Sequence, residues 1–249
     1  MNFNIIHKIE TTSTNDEIKL LLSQENPREF TTVYADFQTQ GRGQRGNQWK
    51  STCGQNLLFS TLLKPLFLKA NKQFTLSQIA ALCVKKTLDE FTEGISIKWP
   101  NDVYWHEKKI CGMLIEIDLA DVYVGSCILG FGININQTDM NGSGPNPISL
   151  IKIINKEVDL KQVLDLCLQH LDEYYTLLKS GNESKIQKDY CESLFRKEGL
   201  HPFTDSTGTF NAHIQQIDPN GMMHLQLENG EIRQYAFKEV KYAIDNNKI

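Results

Sequence analysis

Over the first 195 residues, the spacing of hydrophobic positions changes irregularly between that of helices and that of strands. Apolar residues recur at helical spacing over residues 16–25, 77–93, 160–179 and 184–196. Runs rich in β-branched or apolar residues predict strands near residues 31–36, 56–63, 96–99, 110–118 and 122–129. A short strand precedes the first helix, and Thr14 or Asn15 is placed to cap that helix. This irregular mixture favours an α+β fold over a regular βαβ array.

The pattern changes near residue 199 to short alternating strands. Two turn signals, DPNG at residues 218–221 and ENG at residues 228–230, separate these strands. Five short strands in this part of the chain indicate a small SH3-like β-barrel. We therefore predict a large mixed domain over residues 1–197 and a small β domain over residues 198–249.

Composition and charge narrow the classes of function. The 249 residues carry a net charge of -4, so the chain lacks the overall positive charge that is typical of nucleic-acid-binding proteins. The N-terminus does not have the pattern of a secretory signal, and no stretch is apolar enough to span a bilayer. The six cysteines form no CxxC pair, which is typical of reduced thiols. We predict a cytoplasmic protein that binds neither nucleic acid nor membrane.

Residues 41–49, with the sequence GRGQRGNQW, carry the first candidate chemistry. Three glycines expose backbone N–H groups, two arginines offer bidentate contacts to anions, and Trp49 offers a stacking face. The segment is neither a Walker A motif nor a dinucleotide-binding fingerprint. It is compatible with a nucleotide-phosphate loop. A flexible loop with solvated arginines and an RGG-like RNA-binding patch fit about equally well, and Trp49 by itself could be a core residue.

Two further segments combine polar groups with small residues. KWPND at residues 98–102 ends a strand in a turn with a carboxamide and a carboxylate, and Lys109 follows in KKICG at residues 108–112. The simpler interpretation of these residues is an Asp102–Lys109 ion pair across a hairpin. GFGININ at residues 130–136 permits close approach of a ligand and offers amides to an adenine edge, although a β-bulge with turn-forming asparagines is the alternative.

Metal and triad chemistry lack support in the sequence. The six histidines show no ligand spacing, and no serine lies in a nucleophile-elbow context. We therefore predict that the protein alone holds no metal ion.

The three segments, in this order and preceded by STN at residues 13–15, resemble the signatures of biotin protein ligases over essentially the whole chain. The resemblance implies a catalytic domain similar to that of class II aminoacyl-tRNA synthetases, a mixed sheet backed by helices, followed by the SH3-like barrel. It also implies the ligase-only form, because the chain begins almost at STN and leaves no room for the helix-turn-helix domain of the regulatory members.

The activity implied by the resemblance is an ATP-dependent, AMP-forming ligation. Biotin and MgATP would give biotinyl-5'-AMP and pyrophosphate, and a lysine of the biotin carrier protein of a carboxylase would then attack the mixed anhydride. Magnesium would arrive with ATP, and the enzyme would be a monomer or a homodimer. The alternative within the superfamily is a lipoate or octanoate ligase-type acyl transfer, against which the GRG loop followed by Trp49 argues.

The resemblance also implies residue roles. Lys109 and Arg42 would be catalytic, at the biotin carboxylate and the α-phosphate. The implied biotin-binding residues are Ser13, Thr14, Asn15, Gln38, Gly41, Arg42, Gly43, Gln44, Lys109 and Gly112. The implied ATP- and adenylate-binding residues are Arg45, Trp49, Asp102, Lys109 and Asn134. Gln44 departs from the arginine of many family members, which predicts faster release of the adenylate unless Arg45 compensates.

Overall fold

The apolar runs of the sequence form the strands of two separate sheets. The computed structural model describes residues 3–143 and 146–243. Elements of the first part are β1 (Asn4–Thr11), α1 (Thr14–Gln24), β2 (Thr31–Gln38), β3 (Leu57–Leu63), α2 (Phe74–Asp89), β4 (Ile95–Lys98), β5 (Asp102–Trp105), β6 (Lys108–Ala120) and β7 (Tyr123–Ile133). Then follow α3 (Leu150–Ile154), α4 (Leu160–Lys179), α5 (Glu183–Glu192), β8 (His201–Asp205), β9 (Gly208–Ile217), β10 (Met223–Leu227), β11 (Ile232–Tyr235) and β12 (Lys241–Tyr242).

The larger sheet has seven strands in the order β1-β2-β3-β7-β6-β5-β4. β1 and β2 pair in parallel, whereas every other neighbouring pair is antiparallel. The sheet is therefore mixed, and the predicted α+β class is confirmed.

The two faces of this sheet are covered unequally. On one face α2 and α4 pack over the main core, in which Leu76, Ile79 and Leu168 are fully buried. On the other face α1 covers a small cluster, where Ile18 packs with Leu62 and Ile128. Because α1 has only 11 residues, it leaves part of its face free for a site.

The C-terminal strands form a second, wholly antiparallel sheet. Its order is β11-β10-β9-β8-β12, so the five short strands predicted after residue 199 are present. Trp99 joins this sheet to the larger one: its ring centroid lies 6.0 Å from that of Phe237, and its Nε1 donates to the Gly221 carbonyl at 3.0 Å. The sheet begins at His201, close to the predicted boundary, and the division into domains 1–197 and 198–249 stays a prediction.

Some predicted boundaries were wrong for identifiable reasons. Helix α1 begins at Thr14, and Ser13 is its N-cap residue without a side-chain capping bond. Thr14 and Asn15 do not cap the helix because they lie within its first turn, and their side chains bond to Ser60 of β3 and Glu116 of β6. Strand β5 and helix α3 were not predicted, since four and five residues are too few to show a clear period.

Among residues 3–143 and 146–243, no helix has the length and hydrophobicity needed to cross a bilayer.

Candidate active site

A cavity of about 1030 Å³ lies on the face of the larger sheet that α1 covers only in part. Its walls come from the start of α1, the segment 42–49, strands β4 to β7 and the end of the C-terminal sheet. Most of the residues implied by the sequence line it: Ser13, Thr14, Asn15, Gln38, Arg42, Gly43, Gln44, Trp49, Asp102, Lys109 and Gly112. The fold therefore brings together segments that are far apart in sequence.

The floor of the cavity contains a row of residues in register across four strands. Gly132 of β7 pairs with Gly112 of β6, Gly112 with Asp102 of β5, and Asp102 with Lys98 of β4. Directly paired residues of neighbouring strands point to the same face of a sheet. Two glycines, a carboxylate and a lysine thus follow one another across this face.

A bulge in β6 brings Lys109 to the same face. The register of β5 and β6 shifts between Val103 and Tyr104, so that Ile110 is the extra residue. Without the bulge, strict alternation from Gly112 would turn Lys109 toward the core. Instead Lys109 Nζ lies 2.7 Å from Asp102 Oδ1. The ion pair of the simpler interpretation is therefore present, and it lies inside the cavity.

Trp49 covers the glycines of the row. A Cβ atom at Gly112 would lie 2.9 Å from the Trp49 ring and 3.0 Å from Lys109 Nζ, and one at Gly132 would overlap the ring. Lys109 Nζ lies 5.9 Å from the centroid of the indole. Trp49 is half-buried against the cavity floor and is not a core residue.

The Gly-rich segment closes on itself beside this floor. Trp49 N donates to the Gly41 carbonyl at 2.9 Å, and Gly43 N donates to the Asn47 carbonyl at 2.7 Å. A Cβ atom at Gly41 would overlap the Trp49 carbonyl, so this tight closure requires glycine. The structure does not describe the side chain of Arg45.

The α1 end of the cavity is lined by four polar residues, which we call the polar wall: Ser13, Thr14, Asn15 and Gln38. Gln38 Oε1 accepts from Thr14 N at 2.7 Å, and Thr14 Oγ1 and Ser60 Oγ are 2.7 Å apart. Ser60 donates to Asn15 Oδ1 at 2.5 Å. Gly130 is required here, since a Cβ atom would overlap Asn15 Oδ1. Ser60 was not predicted from the sequence. Its signal there is a hydroxyl side chain inside the apolar run of β3.

Arg42 is bound to carboxylates at the edge of this wall. Its Nη2 lies 2.6 Å from Asp16 Oδ1 and 3.2 Å from Glu116 Oε2. Glu116 also accepts from Asn15 Nδ2 at 2.7 Å and from Lys19 at 2.7 Å. Burial raises the pKa of the Glu116 carboxyl, but the bonds from Lys19 and Asn15 and the charge of Arg42 outweigh it and leave that pKa lowered. Asp16 and Glu116 were not identified from the sequence.

Asn134 lies just beyond the end of β7 and is fully buried. Its Nδ2 donates to the Ile148 carbonyl at 3.1 Å, which fixes the amide. Within residues 3–143 and 146–243, its Oδ1 and the Trp49 indole N–H have no hydrogen-bond partner. A buried acceptor and a buried donor without partners are unfavourable unless a ligand completes them.

The charged groups at the cavity floor form the Lys109–Asp102 ion pair. In the described part of the chain, no three His, Cys, Asp or Glu side chains are grouped to hold an ion. A cation flanked by a polar wall and an aromatic face suits a reaction in which negative charge develops on carboxylate and phosphate oxygens.

The chain is similar to proteins of one known family. Residues 8–134 match the model of the biotin/lipoate A/B protein ligase family. The bifunctional ligase/repressor BirA of Bacillus subtilis is 40% identical over 224 residues, which cover 86% of this chain and 67% of BirA. The biotin–[acetyl-CoA-carboxylase] ligase of Paracoccus denitrificans is 28% identical over 203 residues, which cover 78% of this chain and 83% of that ligase.

A solved structure shows the same fold. The biotin protein ligase from Aquifex aeolicus in complex with biotin and ATP superposes with a TM-score of 0.78 at 28% identity, over 96% of this chain and 99% of that one. Sequence motifs, fold and relatives agree, and the chain belongs to the biotin/lipoate A/B protein ligase family.

Proposed function

We propose that the protein activates biotin with MgATP to biotinyl-5'-AMP and transfers the biotinyl group to a lysine of a biotin carrier protein. The observation that carries the proposal is the Lys109 ammonium, held by Asp102 in one cavity between a polar wall and Trp49. The names of the relatives support biotin as the substrate and a carboxylase as the source of the acceptor.

The polar wall suits the neutral head group of biotin. Ser13, Thr14, Asn15 and Gln38 present hydroxyls and amides rather than charges, and neutral hydrogen-bonding groups match a cyclic urea. With the head group at this wall, the valeryl chain would run along the glycine row toward Lys109. Gly112 and the closed loop at Gly41 and Gly43 would border that path.

Two buried polar atoms without partners in the described part of the chain, the Trp49 indole N–H and Asn134 Oδ1, suit adenine, although Asn134 itself does not line the cavity. Asn134 Oδ1 could accept from the exocyclic amine, and the indole of Trp49 could stack on the base. Gln44 lines the cavity in the Gly-rich segment, and its side chain would lie along the phosphate. Asp102 fits a magnesium ion that arrives with the nucleotide, whose other ligands would be phosphate oxygens and water.

Lys109 would act by stabilising charge. The biotin carboxylate attacks the α-phosphorus, and negative charge grows on the phosphoryl oxygens during the attack. Asp102 holds the ammonium toward the cavity at 2.7 Å, so Lys109 does not need to reorganise. Arg42 would add positive charge if its bonds to Asp16 and Glu116 open when ligand binds. In the second step the acceptor lysine would attack the carbonyl, AMP would leave, and Asp102 would help to remove the proton of the lysine.

A lipoate/octanoate ligase-type acyl transfer is the second candidate, because the family description includes lipoate ligases. Two observations speak against it. The α1 end of the cavity is polar, which an aliphatic chain would not match. In addition, burial raises the pKa of the Cys111 thiol far above its usual range, so this cysteine beside Gly112 is a poor nucleophile for acyl transfer.

The test is pyrophosphate release from MgATP by purified protein, offered biotin, lipoate or octanoate in turn. We expect release with biotin, and a decrease of about 10²- to 10³-fold in Lys109→Ala. Lys108→Ala is the matched control, because Lys108 precedes Lys109 in β6, pairs with Trp105 and does not line the cavity. Release with lipoate alone would assign the protein to the other branch of the family. Absence of release with every acid would reject the adenylation mechanism.

A further inference from the structure

The turn between β9 and β10 contacts the segment that leads into the Asp102–Lys109 pair. Its sequence is DPNG, at residues 218–221, and the Gly221 carbonyl accepts a hydrogen bond from Trp99 Nε1 at 3.0 Å. Trp99 is 5% exposed and lies three residues before Asp102. A turn of the C-terminal sheet is therefore in direct contact with the larger sheet close to the proposed catalytic pair.

The turn is held closed by bonds of its own. Gly221 N donates to the Asp218 carbonyl at 2.8 Å, and Asp218 N donates to the Met222 carbonyl at 2.8 Å. The Asp218 carboxylate accepts from Gln216 Nε2 at 3.0 Å and lies 2.8 Å from Nε2 of the buried His224. Residues of both strands thus bind one carboxylate, and the Gly221 carbonyl has a defined direction.

The turn is also packed against two helices. Gly221 has a φ of +90°, and a Cβ atom there would lie 2.8 Å from the Phe74 ring, so glycine is required at this position. Phe74 is the first residue of α2 and packs edge-on against Tyr190 of α5, with ring centroids 5.8 Å apart. Gln187 of α5 donates to the Ile217 carbonyl at 2.5 Å, directly before the turn. Helices α2 and α5 therefore set the position of the turn.

Residues 99–101 connect β4 to β5, and Asp102 is the first residue of β5. The far end of this connection is fixed on β6, because Asn101 Nδ2 donates to the Met113 carbonyl at 2.5 Å and Met113 N donates to the Asn101 carbonyl at 3.1 Å. The near end is fixed by Trp99, whose indole N–H bonds to the turn. A buried N–H is unfavourable without an acceptor, so the position of Trp99 follows that of the turn.

We propose that the 218–221 turn positions the catalytic pair: it fixes Trp99, the connection to β5 and thereby the Asp102 carboxylate that holds Lys109. This inference rests on the proposed function. Trp99 is a positioning residue, which acts through Asp102. Stabilisation of charge in the transition state depends steeply on the position of the ammonium, whereas binding of the substrates is spread over many contacts. Loosening the turn should therefore lower kcat and leave the KM for biotin nearly unchanged.

Trp99→Phe is the direct test, because it removes the indole N–H and keeps an aromatic ring at this position. We expect kcat for biotin-dependent pyrophosphate release to decrease about tenfold. Trp105→Phe is the matched control. Trp105 is the last residue of β5, and its indole donates to the Glu93 carbonyl at 3.1 Å, a bond of the same kind whose loss should leave kcat unchanged.

Asp218→Ala changes the turn from within the C-terminal sheet. The substitution removes the bonds from Gln216 and His224, so kcat should decrease in the same direction as in Trp99→Phe. This variant decides the matter if Trp99→Phe does not fold, which thermal unfolding of the purified protein would reveal.

A double-mutant cycle with Lys109→Ala separates positioning from a general effect on the fold. If the turn acts through the catalytic pair, Trp99→Phe and Asp218→Ala should have no further effect once Lys109 is alanine. Equal factors in both backgrounds would overturn the inference, as would a raised KM at constant kcat or an unchanged kcat in both variants. Each of these results leaves adenylation by the wild-type protein intact, whereas absence of release by the wild-type protein would reject the proposed function itself.

Discussion

At the scale of single residues, the site depends on side chains that are bound before any ligand arrives. Asn15 accepts from Ser60, donates to Glu116 and occupies the space that Gly130 leaves free. Because the amide cannot rotate without losing these bonds, its orientation toward the cavity is fixed. Preorganisation of this kind reduces the entropy lost when a ligand binds.

Gly130→Ala tests this arrangement. The new methyl group would displace Asn15, so we expect a higher KM for biotin and a loss of about 1–3 kcal/mol in the free energy of unfolding, from buried bonds left unmade. A double-mutant cycle supplies the control. If the clash acts through Asn15, Asn15→Ala/Gly130→Ala should be no worse than Asn15→Ala alone. Additive losses would instead show that the methyl group disturbs the sheet itself.

At the scale of elements, Glu116 connects α1, β6 and the Gly-rich segment. Its carboxylate accepts hydrogen bonds from Asn15, Lys19 and Arg42. The network therefore links the polar wall to the loop that carries Trp49. A glutamine has one acceptor oxygen and cannot replace a carboxylate with three donors around it.

We expect Glu116→Gln to raise the KM for biotin roughly tenfold, since bonds to a charged group are lost at both the wall and the loop. Steady-state kinetics with varied biotin measures this change. Asp118→Asn is the matched control, two residues further along β6, where the carboxylate accepts only from Ser126 at 3.2 Å among the described contacts. Equal effects of both substitutions would indicate a general effect of charge on the face of β6.

The Gly-rich segment gives a second prediction at this scale. Gln44→Arg restores the charge of many family members next to the proposed phosphate, so the dissociation rate of biotinyl-5'-AMP should decrease. Release of radiolabelled adenylate from the complex measures that rate. Gln48→Arg adds the same charge elsewhere in the segment and should have a smaller effect. An equal decrease in both variants would indicate nonspecific attraction.

At the scale of the whole molecule, Glu29 links the start of β2 to α4. It accepts from Lys64 N at 2.9 Å and from Lys179 at 2.6 Å, and also from Tyr175. Burial raises the pKa of Glu29, but the bonds from Lys179, Tyr175 and Lys64 outweigh it and leave that pKa lowered.

A lowered carboxyl pKa stabilises the folded state only while the group is ionised. This contribution is fully present above the unfolded pKa of about 4.3 and is lost as the pH falls through that value toward the folded pKa. Urea titrations below about pH 5 should therefore show decreasing stability, with a shallower decrease in Glu29→Gln. Glu157→Gln, at an exposed site between α3 and α4, should follow the wild type. Parallel curves for all three proteins would contradict the assignment.

The sequence by itself determined the longer elements and the identities of several reactive groups. Periodicity over α4 and the apolar run of β3 predicted these elements almost to the residue, because each is long or strongly apolar. The segments with Trp49, Lys109 and Asn134 were recognisable because their residue types and order are local properties of the chain. The change near residue 199 from mixed helices and strands to short strands alone was also predicted, from the two turn signals that follow it.

Only the tertiary structure decided which groups meet. Alternation along β6 would place Lys109 toward the core, and the bulge that reverses it depends on pairing with β5, a strand too short to predict. The bonds of Arg42 to Asp16 and Glu116, and the approach of Lys98 to the C-terminal sheet, join positions that are distant in sequence. Such contacts arise from strand register and packing, which depend on the whole chain, so local sequence patterns do not predict them.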